Sequence, residues 1–113
     1  MSKITTHVLD ISLGRPAANV QVLLEAKVTA EEWKEEGRGS TDADGRLKEL
    51  AAEKTLRAGT YRLTFDTGAY FAARKTLGFY PQVTVVFEVR DAEKHYHIPL
   101  LLSPFGFSTY RGS

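Results

Sequence analysis

The stretch that decides the fold is the segment Tyr96-His97-Ile98-Pro99-Leu100-Leu101-Leu102-Ser103. Apolar side chains occupy every second position from Tyr96 to Leu102, while His97 and Ser103 fall on the alternate positions. A period of two is typical of a β-strand that buries one face in a core. The segment therefore predicts a half-buried strand, with His97 on the face turned away from the core.

Three further segments repeat this alternation, at residues 20–28, 61–66 and 83–90. Turn signals rich in Gly, Pro and Asp stand between and around them, at residues 14–16, 42–45, 57–59 and 90–93. Short alternating strands separated by such turns predict an all-β fold, an antiparallel β-sandwich.

Two segments break or blur the period of two. Residues 67–78 have Ala-rich helical spacing, with Thr67 as a candidate N-cap and Gly78 as a stop, and predict one short helix. The segment 29–34 carries a capping-box pattern that could start a helix, but Trp33 and the glycines after it read equally well as a strand. We favour the strand.

Composition excludes several classes of protein. The 113 residues predict a single domain over residues 1–113. With no cysteine, the chain has no disulfide scaffold, thiolate metal site or cysteine nucleophile. Fifteen basic residues against 14 acidic ones leave a net charge of +1, which offers no electrostatic footprint for nucleic acid or an anionic membrane.

Targeting signals are also missing from the sequence as given. No apolar run approaches the ~18 residues of a membrane span, and residues 1–7 contain no signal-peptide core. The sequence therefore predicts a cytoplasmic protein.

Few polar residues are candidates for a chemical role. His95 and His97 stand two apart, so a strand places them on one face about 7 Å apart, where they form half of a possible metal site. No third ligand stands nearby in the sequence, and we predict no metal; a metal-binding sandwich that uses this pair remains the alternative. His7 lies on the first strand, and Arg46 follows the Asp44-Gly45 turn signal.

The last ten residues are unusually apolar for a chain end. Residues 104–113 contain aromatic side chains at alternating spacing and no acidic residue. This pattern predicts a strand that packs against another subunit.

Longer motifs carry a family resemblance over the whole chain. They are HVLD at 7–10, GRPA at 14–17, TDADGR at 41–46, FYPQV at 79–83, HYHIPLLLSP at 95–104 and YRGS at 110–113. Together they resemble the 5-hydroxyisourate hydrolases, transthyretin-like enzymes of purine degradation. The YRGS motif is the most specific, because it separates these hydrolases from transthyretin, the hormone carrier of the same fold. Gln82 is a departure, since the family often has Glu there.

The resemblance implies a fold, an assembly and a reaction. The fold is a transthyretin-like (prealbumin-like) antiparallel β-sandwich of two four-stranded sheets with one short helix. Four subunits form a homotetramer, a dimer of dimers, with active sites in the channel between dimers. The reaction is hydrolysis of 5-hydroxyisourate to 2-oxo-4-hydroxy-4-carboxy-5-ureidoimidazoline, a step of urate degradation that needs no cofactor.

The resemblance also assigns residues. It implies catalytic roles for His7, Arg46, His97 and Ser113. It implies substrate binding by His7, Arg46, Tyr110 and Ser108. His95 receives no catalytic role.

These residue types suit hydrolysis of a cyclic amide. A histidine can take the proton of the attacking water, and an arginine can hold the developing oxyanion. Positive charge nearby keeps one imidazole neutral, as a base must be. The sequence does not decide whether His7 or His97 is that base. The alternative function is a transthyretin-like carrier of a small aromatic ligand, but a hydrophobic carrier site has no need of a cationic cluster.

Overall fold

The computed structural model describes residues 4–51 and 56–113, and its elements follow the alternating sequence pattern. In chain order they are β1 (Ile4–Asp10), β2 (Arg15–Pro16), β3 (Gln21–Lys27), β4 (Trp33–Ser40), β5 (Arg46–Leu47), β6 (Gly59–Phe65), α1 (Thr67–Ala73), β7 (Val83–Val89), β8 (Tyr96–Ser103) and β9 (Gly106–Thr109). The predicted strands are confirmed as β3, β6, β7 and β8.

The strands form two sheets. One has the order β4-β3-β6-β7, and the other has the order β2-β1-β8-β9, with β5 also paired to β1. The short strands β2 and β5 pair with different halves of β1, so together they fill one position of the sheet. The predicted sandwich of two sheets is confirmed, although the second sheet contains five strands where four were expected.

One strand pair departs from the antiparallel expectation. β1 and β8 run parallel, from the pair Ile4–Tyr96 to the pair Asp10–Leu102. A parallel pair needs a long crossover connection, and here that connection contains the entire other sheet. Local alternation and turn signals carry no information about such a distant pairing.

The core lies between the sheets and is built from the apolar face of each strand. In β8, Tyr96, Ile98, Leu100 and Leu102 are buried, as the alternation predicts. His97 therefore lies on the opposite face of the sheet, where it is half-buried.

The helix is shorter than predicted, and a different residue caps it. α1 covers Thr67–Ala73, and its N-cap is Asp66, whose carboxylate accepts a backbone N–H from the first turn at 3.1 Å. The prediction of Thr67 as the cap is wrong because its hydroxyl donates to the Tyr80 carbonyl oxygen instead. The helix ends before Gly78 because Lys75 adopts a left-handed φ of 54°.

A buried carboxylate fixes α1 to the first strand. Asp10 has no exposed side-chain surface and accepts hydrogen bonds from the Tyr70 hydroxyl at 2.7 Å and the Arg74 guanidinium at 2.9 Å. Burial acts to raise the pKa of Asp10, but the hydrogen bonds from Ser12 and Tyr70 and the charge of Arg74 outweigh it and hold that pKa below its usual value. Burial and the same carboxylate raise the pKa of Tyr70 to about 12.

The ambiguous segment before Trp33 is a turn between two strands. Thr29 and Glu32 bond to each other there, with the Thr29 hydroxyl 3.3 Å from the Glu32 carboxylate. Trp33 opens β4, which confirms the strand interpretation. Within the described residues, no helix is long and apolar enough to cross a membrane.

Candidate active site

Three strands bring the predicted cationic residues to one face of the sheet. His7 of β1 pairs directly with Arg46 of β5, and Thr5 of β1 pairs directly with His97 of β8. Because Thr5 and His7 are two apart on one strand, their side chains share a face. His7, Arg46 and His97 therefore converge on the face of the sheet that is turned away from the core.

The turn before Arg46 is held by its own backbone and by one carboxylate. Asp42 accepts the backbone N–H groups of Asp44 and Arg46, both at 2.9 Å. The Arg46 N–H is the main cause that lowers the pKa of Asp42. Gly45 closes the turn at a φ of 76°, and a Cβ there would lie 2.3 Å from the Val8 carbonyl oxygen, so glycine is required. The turn thereby places Arg46 beside His7 of β1.

His7 is oriented by the same turn. Its Nε2 lies 2.9 Å from the Asp44 carbonyl oxygen. A carbonyl only accepts hydrogen bonds, so Nε2 carries the hydrogen and Nδ1 is the basic nitrogen of the neutral ring.

His97 and His95 share a single hydroxyl. The Thr5 Oγ1 lies 2.8 Å from His97 Nδ1 and 3.0 Å from His95 Nε2. The expectation that the two histidines share a face is confirmed. Sequence reasoning missed Thr5, although its position two residues before His7 on an alternating strand places it on the same face.

The surroundings of His97 favour its neutral form. Burial lowers the pKa of His97, and Coulombic interactions with His7, His95 and Arg46 lower it further, against a smaller opposing effect of a hydrogen bond with the Thr5 backbone. These effects shift His97 towards its neutral form, which is the form that can accept a proton.

Several of these residues line an open cavity of about 240 Å³, whereas His7 is not part of its lining. It is lined by Thr5, Thr6, Arg46, Lys48, His95, His97 and Ser113. The predicted residue Ser113 thus joins Arg46 and His97, and Lys48 is a cation that the sequence reasoning did not single out.

Tyr110 and Ser108 lie outside the lining of this cavity. Tyr110 borders a separate cavity of about 460 Å³ near the exposed edges of the two sheets, together with Val86 of β7 and Thr109 of β9. Ser108 lies on β9, opposite Leu101. Within one chain, the structure does not bring these two predicted binding residues together with His97 and Arg46.

The segment 110–113 crosses directly over His97. Gly112 donates its backbone N–H to the His97 carbonyl oxygen at 2.7 Å. A Cβ at Gly112 would lie 2.6 Å from the His97 ring carbon Cδ2, so only glycine permits this crossing. The crossing places Ser113 at the cavity.

A protein-family comparison gives a match over nearly the whole chain. The sequence model described as the HIUase/Transthyretin family matches residues 4–112. The chain belongs to this family.

Relatives within the HIUase/Transthyretin family include named hydrolases. The chain is 47% identical to a probable 5-hydroxyisourate hydrolase of Caenorhabditis elegans, over 99% of this chain and 82% of that protein. The structure of Klebsiella pneumoniae 5-hydroxyisourate hydrolase superposes with a TM-score of 0.87 at 37% identity, covering all of both chains.

The fold alone does not separate the two branches of the HIUase/Transthyretin family. Sea bream transthyretin, solved in complex with thyroxine, superposes with a TM-score of 0.92 at 33% identity, over 98% of this chain and 95% of that one. Shared architecture is therefore compatible with a carrier or an enzyme, and the side chains must decide.

The metal-binding alternative concerns the pair His95 and His97. Across residues 4–51 and 56–113, no three His, Asp or Glu side chains cluster so as to hold a metal ion. The hydrogen bonds of His95 and His97 go to Thr5 instead.

Proposed function

We propose that this chain is a 5-hydroxyisourate hydrolase that opens the six-membered ring of its substrate in urate degradation. Relatives with that name match nearly the whole chain at 41–47% identity. The observation that carries the proposal is that His97, whose pKa is lowered by burial and nearby charge, lines one cavity together with Arg46 and Ser113.

His97 is the general base of the proposed reaction. Thr5 engages Nδ1, so Nε2 is the ring nitrogen that can face a water molecule in the cavity. Nε2 takes one proton as the water oxygen attacks the ring carbonyl, a contribution of about 10²–10⁴-fold. The same proton then passes to the ring nitrogen as the carbon–nitrogen bond breaks.

Arg46 stabilises the charge that develops on the carbonyl oxygen. Its guanidinium is always charged and offers several donors in a fixed plane. His7, paired with Arg46 across the sheet, binds substrate beside it, and Ser113 supplies a further hydrogen bond to the substrate.

The test is direct. Freshly generated 5-hydroxyisourate is mixed with the protein, and its ultraviolet absorbance is followed. We expect decay faster than the spontaneous reaction, and we expect His7→Ala, Arg46→Ala and His97→Ala each to lose most of the rate. Decay at the spontaneous rate with the unaltered protein would refute the assignment.

A carrier of a small aromatic ligand is the second candidate, favoured by the close superposition on transthyretin. The cationic and hydroxyl lining around His97 suits a polar substrate better than a hydrophobic one. Tight binding of thyroxine by a protein without hydrolase activity would favour the carrier.

We also propose the homotetramer, with sites shared between subunits. β7 and β9 each form one edge of a sheet. Exposed apolar side chains lie on or next to these edge strands: Val86 of β7 is 59% exposed, and Tyr110, directly after β9, is 57% exposed. Such edges favour strand addition from a second copy. Tyr110 and Ser108 then act at the cavity of a neighbouring subunit. The cytoplasmic location stays a prediction, which cell fractionation tests.

A further inference from the structure

One hydroxyl group forms hydrogen bonds with two histidines beside the proposed site. Thr5 is 7% exposed, and its Oγ1 lies within hydrogen-bond distance of both His97 Nδ1 and His95 Nε2. A hydroxyl has a single hydrogen to donate. At most one of the two rings can therefore accept from Thr5, and the other ring must donate to it.

When the Thr5 hydroxyl donates its hydrogen to one of the two rings, two polarities are possible. In the first, His97 Nδ1–H donates to Thr5, and the Thr5 hydroxyl donates to His95 Nε2. In the second, every bond is reversed, and the neutral His97 ring carries its hydrogen on Nε2. In the first polarity, His97 Nε2 has a free lone pair and can accept a proton. In the second, Nε2 carries the ring hydrogen and cannot.

We propose that Thr5 and His95 are positioning residues that fix His97 in the tautomer with a free Nε2. His95 lies at the exposed end of the chain of bonds. In the proposed arrangement its Nε2 is the terminal acceptor. For its catalytic consequence, this inference rests on the proposed function. The tautomer itself is a property of the free protein.

The surrounding backbone holds the three groups in register. Thr5 pairs with His97 across the parallel strands, and the adjacent Thr6 hydroxyl donates to the Ile98 carbonyl oxygen at 2.6 Å. Thr6 and Ile98 are buried. Thr5 and His97 are therefore held on paired strands, where a ring orientation is best maintained, and His95 directly precedes β8.

Nitrogen-15 NMR of the histidine rings tests the tautomer without substrate. In the unaltered protein at neutral pH, we expect the His97 Nδ1 to be protonated and Nε2 to be bare. In Thr5→Val, which keeps the shape and removes the hydroxyl, we expect a mixture of tautomers, while Thr5→Ser keeps the original one. A bare Nδ1 on His97 in the unaltered protein would overturn the proposal.

Kinetics supply the second readout. Thr5→Val should lower kcat about tenfold, the scale of one lost hydrogen bond, with KM little changed, and Thr5→Ser should restore the rate. His95→Leu should lower kcat by a few-fold on the same scale, whereas His95→Gln keeps an acceptor and most of the rate. Equal kcat in Thr5→Val and the unaltered enzyme would also overturn the proposal.

The two readouts separate this inference from the proposed function. If the unaltered protein shows no hydrolysis but has the expected tautomer, the hydrolase assignment fails and the positioning role stands. If it hydrolyses 5-hydroxyisourate with the opposite tautomer, the assignment stands and the positioning role fails.

Discussion

The charge of Arg46 lowers the pKa of His97, in addition to the role proposed for Arg46 on the substrate, and this effect can be measured at the residue scale. Burial comes first among the causes that lower the pKa of His97, and the charge of Arg46 contributes to the same direction. A base must be unprotonated, so a lowered pKa extends activity to more acidic pH than the ordinary histidine value of 6.5 would allow.

Arg46→Gln removes that charge. We expect the His97 pKa to rise and the acid limb of the kcat/KM profile to move to higher pH, in addition to the loss of rate. Arg46→Lys keeps the charge and should leave the limb where it is, although the rate falls. A limb that moves equally in both variants would mean that charge at this position does not tune His97.

At the scale of elements, the position of the segment 110–113 over His97 depends on Gly112. In Gly112→Ala, the new Cβ meets the His97 ring, so the segment must shift and Ser113 leaves the cavity. We expect kcat to fall at least about tenfold, since a misplacement of about 1 Å costs that much or more.

Gly106→Ala is the matched control. A Cβ at Gly106 meets only the Ser103 hydroxyl, at 3.7 Å, which is ordinary contact. Activity should survive there in the absorbance assay. Full activity in Gly112→Ala would show that the crossing over His97 is not needed.

The junction between α1 and β1 predicts a pH-dependent stability. A carboxyl with a lowered pKa stabilises the fold above its unfolded value of 3.8, and this contribution is lost as pH falls through the folded pKa. Asp10→Asn should cost about 3 kcal/mol near neutral pH, because the Arg74 charge loses its partner.

Urea unfolding at neutral and acidic pH measures this effect. The difference between Asp10→Asn and the unaltered protein should shrink as pH falls below the carboxyl's folded pKa. Glu88→Gln, on an exposed pair with Arg90, is the control and should change the free energy of unfolding very little. A difference that is constant with pH would contradict the role of the ionised Asp10.

At the scale of the whole molecule, sharing of sites between subunits can be tested by mixing variants. His97→Ala and Tyr110→Ala should each be nearly inactive alone. Co-assembled from unfolded, equimolar chains, they should regain about one quarter of the sites if Tyr110 serves a neighbouring subunit. No recovery in mixed tetramers would place Tyr110 in its own chain's site.

Much of this molecule could be predicted from local pattern, and the failures have physical causes. Alternation predicted β8 and the side on which His97 lies, because burial of one face dictates a period of two. Thr67 failed as a cap because a distant carbonyl, that of Tyr80, competes for its hydroxyl. Thr5 could not be paired with His95 because their contact depends on a strand pairing between opposite ends of the chain.

That pairing also has a consequence for how the protein folds. β1 leaves the ribosome before its neighbour β8, which follows only after some 90 residues of separation, as the contact between Thr5 and His97 illustrates. Folding rates fall as contacting residues lie further apart along the chain. His97, Thr5 and Arg46 therefore come together only late in synthesis, once β8 is available to pair with β1.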